Sequence, residues 1–583
     1  MIPLLLLVVG YFIGISPEFK IIAAGVAIFL IGMYFMEDGF KVFAGGTLKR
    51  LLQKTTGTLM RAFFSGFIAT SIVQSSSLVA VITISFLSAD LIALAQAIGI
   101  IFGSNLGTTS TAWIIAAFGV KVKIAYYAMP MLIFGIILRS VSSKTYQGFG
   151  FILLGLGFIF LGIGYMKEGF DTLKDAIDLA QMAIPGFMGL VIYIVVGIAA
   201  TVILQSSSAS LAIIITALAA GQIEYIGAIA LAIGSNIGTT ITAILGSLAS
   251  NINGKRLALA HLVFNLLTAL IAVVFLSQIM SLVEVLSKVL GIPADNYMLK
   301  LSLFHTVFNL IGIIVILPFT NYLVRFIKKI MPQKKLVRGK AHYLHESVLQ
   351  TKESALVALY KESEHLYDVI LEGMIHAMLM HWHEVFSDKQ LHHLTNKKIT
   401  DIEIDVEHFY QVRAKNLYGE IVNYATLSAE VMAEEELKRL YELKLANRSM
   451  INILKHAKEM HKNILFYHQH KNRDIAHEYN EIRLHLSSLI REIDTIRHNE
   501  DDVNVLAQIT ILTQESERLD IMKSAQTDTL IREKKIDTKM ATSLMNDSAF
   551  AYQISKELLE IASILWIKDR DLREFENEVE SEL

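Results

Sequence analysis

A polar motif that occurs twice inside apolar sequence constrains the fold of this chain more than any other feature. Gln-Ser-Ser-Ser occupies residues 74–77 and again residues 205–208. Each copy is followed, 29 residues after its glutamine, by Gly-Ser-Asn-x-Gly-Thr-Thr, at residues 103–109 and 234–240. The matched spacing predicts an internal duplication. Because hydroxyl and amide groups are costly in apolar surroundings unless they bind one another or a ligand, we expect the two copies to form a shared polar site.

Charge divides the chain into two parts. Residues 1–340 contain 23 basic and 11 acidic residues, whereas the remainder contains 29 basic and 43 acidic residues. Since the first part is also strongly apolar, we predict a membrane domain followed by a soluble, acidic domain. The sequence has no cysteine, which excludes disulfides and thiol catalysis. It shows no nucleophile–base pattern and no cofactor loop, so we expect neither an enzyme nor an organic cofactor, and no nucleic-acid partner.

Long apolar stretches predict about eight membrane crossings. The first, Met1–Ser16, lacks a basic leader and a cleavage site, so we interpret it as a retained helix. The others lie near residues 20–37, 91–118, 122–141, 148–166, 226–248, 256–287 and 299–325. We predict a membrane domain over 1–330, with one repeat at about 20–141, a second at about 148–287 and a final helix at 299–325. A basic linker over 331–345 then leads to a C-terminal domain over 346–583.

The two stretches that contain Gln-Ser-Ser-Ser, near 57–88 and 186–220, have the motif at their middle. We interpret each as a re-entrant helical hairpin that enters and leaves the membrane on one side, with the motif at its tip. Irregular backbone at membrane depth is tolerated where protein or a water-filled cavity surrounds it. The alternative is an ordinary spanning helix with serines on its packing face.

Charged residues predict the orientation, because cytoplasmic loops are enriched in Lys and Arg. The connection at 41–61 contains only basic charges, namely Lys41, Lys49, Arg50, Lys54 and Arg61. Its counterpart in the second copy is acidic, with Glu168, Asp171, Asp175 and Asp178 against Lys167 and Lys174. We therefore expect the first connection inside, the second outside, and two inverted repeats. The basic segment 325–340 places the C-terminal domain in the cytoplasm.

The polar motifs offer groups suited to small ions. Sodium takes neutral oxygens from hydroxyls and carbonyls, whereas an oxyanion takes donors from hydroxyls and helix N-termini. Acids are nearly absent from membrane depth, which argues against a proton relay built on carboxylates. The glycines of the second motif, Gly103, Gly107, Gly234 and Gly238, predict a break in each helix, with asparagine and threonine replacing the lost hydrogen bonds. A duplicated polar centre in a membrane domain is typical of secondary transporters.

A third repeated pattern, His-x-x-Phe-Asn, lies on two later helices. It places His261 with Asn265 and His305 with Asn309. Two explanations of this pattern stay open: hydrogen bonding that holds the helices together, and a supporting role near the polar site.

Together these motifs resemble those of the type II sodium/phosphate cotransporters over about residues 1–330. The resemblance implies a midplane site for inorganic phosphate and sodium. The binding residues would be those of the Gln-Ser-Ser-Ser motifs, Gln74, Ser75, Ser76, Ser77, Gln205, Ser206, Ser207 and Ser208. Residues of the second motif would line or support the site: Ser104, Asn105, Thr108, Thr109, Ser235, Asn236, Thr239 and Thr240.

The C-terminal part has apolar residues at helical spacing, with charged residues between them, and predicts a helical bundle. Expected helices include 347–372, 401–427, 434–470 and 475–497. The pattern resembles the PhoU-type regulatory domain. In that fold acidic Glu/Asp-x-x-x-Asp patterns can bind metals, so Asp401 and Asp405 are candidate ligands of a divalent metal. The alternative is that these acids line a solvated helix face.

Residues and resemblance together predict an all-helical, multi-pass protein of a bacterial inner membrane that transports phosphate with sodium by alternating access. Its expected partners are phosphate, sodium and the lipid bilayer, with a second copy of the chain or a signalling protein at the C-terminal domain. Three alternatives stay open: a phosphate exporter, a carrier of another oxyanion such as sulfate or arsenate, and a membrane-tethered sensor that no longer transports.

Overall fold

The computed structural model describes residues 10–11, 14, 16–54, 57–118, 125–176, 186–332, 339–386, 405–499 and 501–567. The chain divides into two compact units, Met1–Gln333 and Lys334–Leu583, which we call the membrane unit and the C-terminal unit. Within the described ranges both units consist of helices and contain no strand. The all-helical prediction is therefore confirmed at this level.

The membrane unit contains fourteen α-helices in its described part. They are α1 (Pro17–Lys54), α2 (Leu59–Val73), α3 (Ser76–Ser88), α4 (Leu94–Phe118), α5 (Ala125–Arg139), α6 (Lys144–Ala176), α7 (Gly186–Leu204), α8 (Ser207–Ala219), α9 (Tyr225–Gly238), α10 (Thr240–Ser247), α11 (Ile252–Val274), α12 (Leu276–Val289), α13 (Tyr297–Ile316) and α14 (Thr320–Ile330).

Within the described part of the chain, seven stretches are long and apolar enough to cross a membrane. They are Pro17–Phe40, Leu94–Ala117, Lys144–Leu173, Gly186–Leu204, Tyr225–Ser247, Ile252–Val274 and Tyr297–Ile330. Shorter apolar helices also occur, among them α2, α3 and α8. The predicted span Met1–Ser16 lies almost entirely outside the described residues. These helices make the protein a multi-pass membrane protein.

The single span predicted over 256–287 is wrong. Helix α11 ends at Val274, and α12 starts at Leu276 after a bend at Phe275. Helix α12 places Ser281, Glu284 and Lys288 at helical spacing among its apolar residues. Because apolar residues dominate both segments, hydropathy alone does not reveal the bend between a spanning helix and an amphipathic one.

Glycines bring α1 and α6 into close contact. A Cβ atom placed on Gly25 would lie 2.8 Å from the carbonyl oxygen of Gly162, and one on Gly32 would lie 2.7 Å from that of Gly155. Gly39 faces Gly148 in the same way, at 2.8 Å. Since helices in lipid associate largely through close van der Waals contact, these glycines let two long helices pack backbone to backbone.

The C-terminal unit is a bundle of long helices. Its described α-helices are α15 (Lys352–Ala377), α16 (Trp382–Val385), α17 (Val406–Phe409), α18 (Lys415–Ser428), α19 (Glu434–Tyr467), α20 (Arg473–Arg497), α21 (Asp502–Arg532) and α22 (Thr538–Trp566), and a π-helical turn, Tyr410–Ala414, lies between α17 and α18. Its core is made of apolar residues at helical spacing, such as Leu359, Leu454 and Leu558, all fully buried. Burial of these faces stabilises helices whose intrinsic propensity alone would be insufficient.

Candidate functional site

Both Gln-Ser-Ser-Ser motifs form the same sharp turn between two helices. Gln74 ends α2 with φ of 60°, and Gln205 follows α7 with φ of 52°. This left-handed conformation is uncommon for residues other than glycine and costs free energy of order 1 kcal/mol or more. The next residue in each copy, Ser75 or Ser206, caps the following helix with its side-chain oxygen. The duplication therefore extends to an unusual backbone conformation.

The turns place the remaining serines at helix N-termini. Ser76 and Ser77 lie in the first turn of α3, and Ser207 and Ser208 lie in the first turn of α8. The backbone N–H groups at such an end lack intrahelical partners, and the helix dipole favours negative charge there. Each turn can therefore present hydroxyl and backbone donors to an anion.

Side chains from two other helices surround the first turn. The amide oxygen of Gln74 accepts a hydrogen bond from the hydroxyl of Thr111 at 2.7 Å, and its amide nitrogen donates to Ser110 Oγ at 2.8 Å. The hydroxyl of Ser75 donates to Glu37 Oε2 of α1 at 3.2 Å. These contacts hold the left-handed turn and gather five side chains that contain oxygen.

The first turn also reaches the second copy of the duplication. The Ser77 hydroxyl donates to Thr242 Oγ1 at 3.4 Å, although 165 residues separate them. The two turns differ in accessibility, because Gln74 is 6% exposed whereas Gln205 is exposed. Ser207 and Ser208 are buried, and Ser76 and Ser77 are partly exposed.

The helix breaks predicted at Gly-Ser-Asn-x-Gly-Thr-Thr are not found as expected. Helix α4 runs without interruption through the whole first copy. In the second copy only Thr239 separates α9 from α10, and its φ of −57° and ψ of −28° stay close to helical values. The threonines bond within their own helix, as Thr108 does to the carbonyl oxygen of Ser104 at 3.0 Å.

Close helix packing explains these glycines instead. A side chain on Gly103 would collide with the carbonyl oxygen of Phe63 in α2, and one on Gly234 with that of Ile194 in α7. The neighbouring serines make matched contacts, because Thr70 Oγ1 donates to Ser104 Oγ at 2.7 Å and Thr201 Oγ1 donates to Ser235 Oγ at 2.9 Å. In each copy the glycines and the serine therefore hold the second motif against the helix that precedes the turn.

The asparagines of both motifs meet at Asn265, forming what we call the asparagine cluster. The side-chain oxygen of Asn265 accepts from Asn105 Nδ2 at 2.9 Å and from Asn236 Nδ2 at 3.0 Å. His261 Nε2 lies 3.1 Å from Asn105 Oδ1, and Asn236 Nδ2 also donates to Asn309 Oδ1 at 3.2 Å. All five side chains named here are buried. The third repeated pattern is thus brought together with both copies of the second motif.

Some buried polar atoms in and near the asparagine cluster make no hydrogen bond within the described part of the chain. Asn265 Nδ2, His261 Nδ1 and Thr268 Oγ1 are buried and have no hydrogen-bond partner within the described ranges. The same is true of His305 Nδ1, whereas the Asn309 amide donates to the carbonyl oxygen of His305 at 2.8 Å. Buried polar atoms without partners are uncommon, and a water molecule or an ion commonly satisfies them.

Sequence reasoning missed several polar residues around the turns. Glu37, Ser110 and Thr111 contact the first turn, and Thr70 and Thr201 hold the two serines of the second motif. A signal for some of them was present, because Thr70 and Thr201 are 131 residues apart, the same offset as the two glutamines. Thr111 and Thr242 show that offset too. Glu37 shows that offset as well, since Glu168 lies 131 residues after it.

The candidate metal site of the C-terminal unit lies partly outside the described residues and stays a prediction. Asp401 lies outside the described residues, and Asp405 caps α17 by accepting from the backbone N–H of His408 at 2.9 Å. Across the described ranges there is no group of three or more His, Asp or Glu side chains that could hold a metal ion. The acid at 405 therefore has a local structural role as a helix cap.

Comparison with known proteins gives a consistent result. A family model described as Na+/Pi-cotransporter matches residues 28–168 and 187–294. "Uncharacterized protein YqeW" of Bacillus subtilis is 30% identical over 306 residues, covering 52% of this chain and 96% of that protein. "Putative inorganic phosphate export protein YjbB" of Escherichia coli is 28% identical over 435 residues, covering 72% of this chain and 73% of the relative. No solved structure matches the chain significantly.

Proposed function

The chain belongs to the Na+/Pi-cotransporter family, and from that premise we propose that it moves inorganic phosphate across a bacterial inner membrane, coupled to sodium, by alternating access. The family is one of transporters and not of enzymes. The observation that carries the proposal is the pair of matched turns at Gln74 and Gln205, each followed by a serine-rich helix N-terminus.

Phosphate binding would use the donors at both turns. An oxyanion is well matched by hydroxyls and by the free backbone N–H groups of a helix N-terminus. Helices α3 and α8 present these groups through Ser76 and Ser207. The contact between Ser77 and Thr242 supports one site formed by both copies rather than two separate sites.

Sodium binding would use oxygens near the first turn. The amide oxygen of Gln74 and the hydroxyls of Ser110 and Thr111 are neutral oxygens, the ligand type that a hard monovalent cation accepts. Glu37 adds a carboxylate within hydrogen-bond distance of Ser75. A cation bound here would lower the electrostatic cost of bringing a phosphate anion to membrane depth.

Two re-entrant hairpins in inverted repeats would place the turns at this depth. Helices α2 and α3 have 15 and 13 residues, and α8 has 13, whereas about 20 residues are needed to cross the hydrocarbon core. These lengths favour hairpins whose tips are the turns. Helix α7 has 19 residues and is apolar enough to span by itself, so the second hairpin has weaker support.

In alternating access, the turn at Gln74 and the turn at Gln205 would become accessible to solvent one after the other. Gln205 is exposed while Gln74 is buried, so the two copies differ in accessibility in a single conformation. A rocking motion that exchanges the two environments would move the site from one side to the other. The asparagine cluster, where both copies meet, would lie at the centre of that motion.

The C-terminal unit would act as a cytoplasmic, PhoU-like regulatory domain. Its all-helical bundle is compatible with that assignment. The match to the Escherichia coli relative spans 435 residues, more than the 333 residues of the membrane unit, so that relative shares part of the C-terminal unit as well. The basic segment after α14 supports a cytoplasmic location.

Phosphate export is the second candidate function. It is favoured by the name of the Escherichia coli relative, which describes inorganic phosphate export. A coupled site is reversible in principle, so the same residues would serve either direction.

Proteoliposomes test both functions. We expect radiolabelled phosphate to accumulate when a sodium gradient points inward, and not when an equal potassium gradient does. Preloaded vesicles with the sodium gradient reversed should lose phosphate by the same route. Unlabelled sulfate or arsenate added as competitor tests substrate choice. Absence of phosphate flux under both gradients, with folded protein in both orientations, would contradict the proposal.

A further inference from the structure

The C-terminal unit contains a cavity of about 560 Å³ that no part of the proposed transport function uses. It lies beside α15, close to the first described residues of the unit. The side chains of His342, His365, His376, Trp382, Arg413 and Arg497 line it. Its volume falls within the range of pockets that hold ligands of nucleotide or drug size.

Two arginines in fixed positions provide donors on the cavity wall. Arg413 Nη1 donates to Glu372 Oε1 at 3.0 Å, and Arg497 Nη1 donates to Asp368 Oδ1 at 2.6 Å. Arg497 Nη2 also donates to Asp368 Oδ2 at 3.5 Å and lies 4.0 Å from Glu364 Oε1. A guanidinium has five N–H donors, so these carboxylates orient the two arginines without using all of their donors. Both arginine side chains stay partly exposed, at 28% and 26%. An oriented, accessible guanidinium is well suited to a phosphate group.

Aromatic rings form much of the rest of the wall. His342 and His365 are stacked with ring centroids 3.8 Å apart, and Trp382 is 43% exposed. His342 Nε2 and His376 Nδ1 are buried and have no hydrogen-bond partner among the described residues. Burial lowers the pKa of both histidines, so at neutral pH their rings are uncharged. Such a wall suits a flat heteroaromatic ring that has polar edges.

We propose that this cavity binds a nucleoside monophosphate, with the phosphate on Arg413 and Arg497 and the base among Trp382 and the histidines. A bare phosphate ion would fill only a small part of the volume and would leave the rings unused. A metal ion has no suitable set of ligands, because the described residues contain no group of three His, Asp or Glu in reach of one ion.

Residues at the start of the C-terminal unit, Gly339 and His342, form part of the cavity wall. Gly339, with φ of 87°, packs against Arg413 so closely that a Cβ atom would lie 2.9 Å from the Arg413 Cα. The backbone N–H groups of His342 and Tyr343 both donate to the buried carboxylate of Glu362, at 2.7 and 2.8 Å. Ligand contact with Arg413 would therefore also involve residues of the predicted linker over 331–345.

Tryptophan fluorescence of the full-length protein in detergent tests the proposal with adenosine monophosphate as probe. The chain has three tryptophans, and Trp382 lines the cavity while Trp566 is 2% exposed. We expect saturable quenching by the nucleotide that disappears in Trp382→Phe. Calorimetry on the same sample should give a matching affinity, and that affinity should persist in Trp382→Phe within a few fold.

Variants of the arginines locate the phosphate. Arg413→Gln should weaken binding of adenosine monophosphate about tenfold or more, because a charge-assisted hydrogen bond is lost. Arg448→Gln, an exposed arginine of α19 that does not line the cavity, should leave the affinity unchanged. Circular dichroism and the thermal unfolding temperature verify that each variant is folded.

Inorganic phosphate and adenosine, added separately, test the two halves of the ligand. We expect each to bind more weakly than the monophosphate by at least about tenfold, since each uses only part of the wall. Absence of nucleotide binding in calorimetry would overturn the proposal, as would equal affinity for inorganic phosphate alone. Unchanged nucleotide affinity in a folded Arg413→Gln protein would overturn the location.

Discussion

The hydroxyls of Ser77 and Thr242 lie 3.4 Å apart, although each belongs to a different copy of the duplicated sequence. If both groups face one phosphate site, they should act together. We expect Ser77→Ala and Thr242→Val each to reduce phosphate transport, and the double variant to reduce it by less than the product of the two effects. A double-mutant cycle on initial rates in proteoliposomes measures this coupling. Strictly multiplicative effects would indicate two independent roles.

The serines at the helix N-termini should matter for transport more than for folding. Ser76→Ala or Ser207→Ala removes one hydroxyl donor from a proposed phosphate site, and we expect about a tenfold or greater loss of flux at low phosphate. Initial rates of phosphate uptake check this. Ser142→Ala, at an exposed serine between α5 and α6, is the matched control and should transport normally. Normal flux in both folded test variants would argue strongly against the assigned site.

The glycines of the second motif should be structural. Gly103→Ala places a methyl group where the carbonyl oxygen of Phe63 lies, so the two helices must separate, at a cost of about 1–3 kcal/mol or more. We expect a lower thermal unfolding temperature in detergent and reduced amounts of protein in the membrane. Gly164→Ala is the control, because a Cβ atom there has no neighbour within 4 Å. Equal unfolding temperatures for the two variants would contradict the packing role.

The asparagine cluster should be sensitive to loss of its central oxygen. Asn265→Ala leaves the amide donor of Asn105 without its acceptor and leaves Asn236 with Asn309 as its remaining acceptor. An unsatisfied buried donor costs about 1–3 kcal/mol. We expect a clear loss of thermal stability together with reduced transport. Asn253→Ala provides a control in the same helix, although it removes the hydrogen bond that Arg256 Nη1 donates to Asn253 Oδ1. Full stability of the Asn265 variant would show that water readily replaces the lost oxygen.

In the C-terminal unit, Arg483 should resist conservative replacement. Its buried guanidinium donates to the carbonyl oxygens of Met378 at 2.7 Å and Leu379 at 3.1 Å, where the chain leaves α15. A lysine at this position cannot reproduce the planar fork, so we expect Arg483→Lys to lower the free energy of unfolding of the unit by about 1–3 kcal/mol. Hydrogen exchange of α15 in the full-length protein measures this. Arg473→Lys, at an exposed position of α20, should have little effect.

The sequence predicted the helical class and several of the membrane spans because both follow from apolar runs and helical periodicity, but it merged α11 and α12 into one span. It also identified Asn265 and His261, since their repeated spacing stood out. It misjudged Gly103 and Gly234, because a glycine that allows a break and one that allows close packing look alike without the neighbouring helix. Glu37 was missed for a related reason: its contact with Ser75 spans 38 residues and depends on how α1 packs beside the turn, which the sequence pattern alone does not give.

The side-chain oxygen of Asn265 is a single atom that accepts from Asn105 of one copy and Asn236 of the other. An atom shared in this way stabilises one relative position of the two copies. It tolerates small fluctuations of both copies, but a displacement of one copy against the other must break one bond before another arrangement can form. If the two copies rock against each other as proposed, the shared oxygen would therefore disfavour intermediate positions, in which both sides of the carrier would be partly open and the ion gradient would leak.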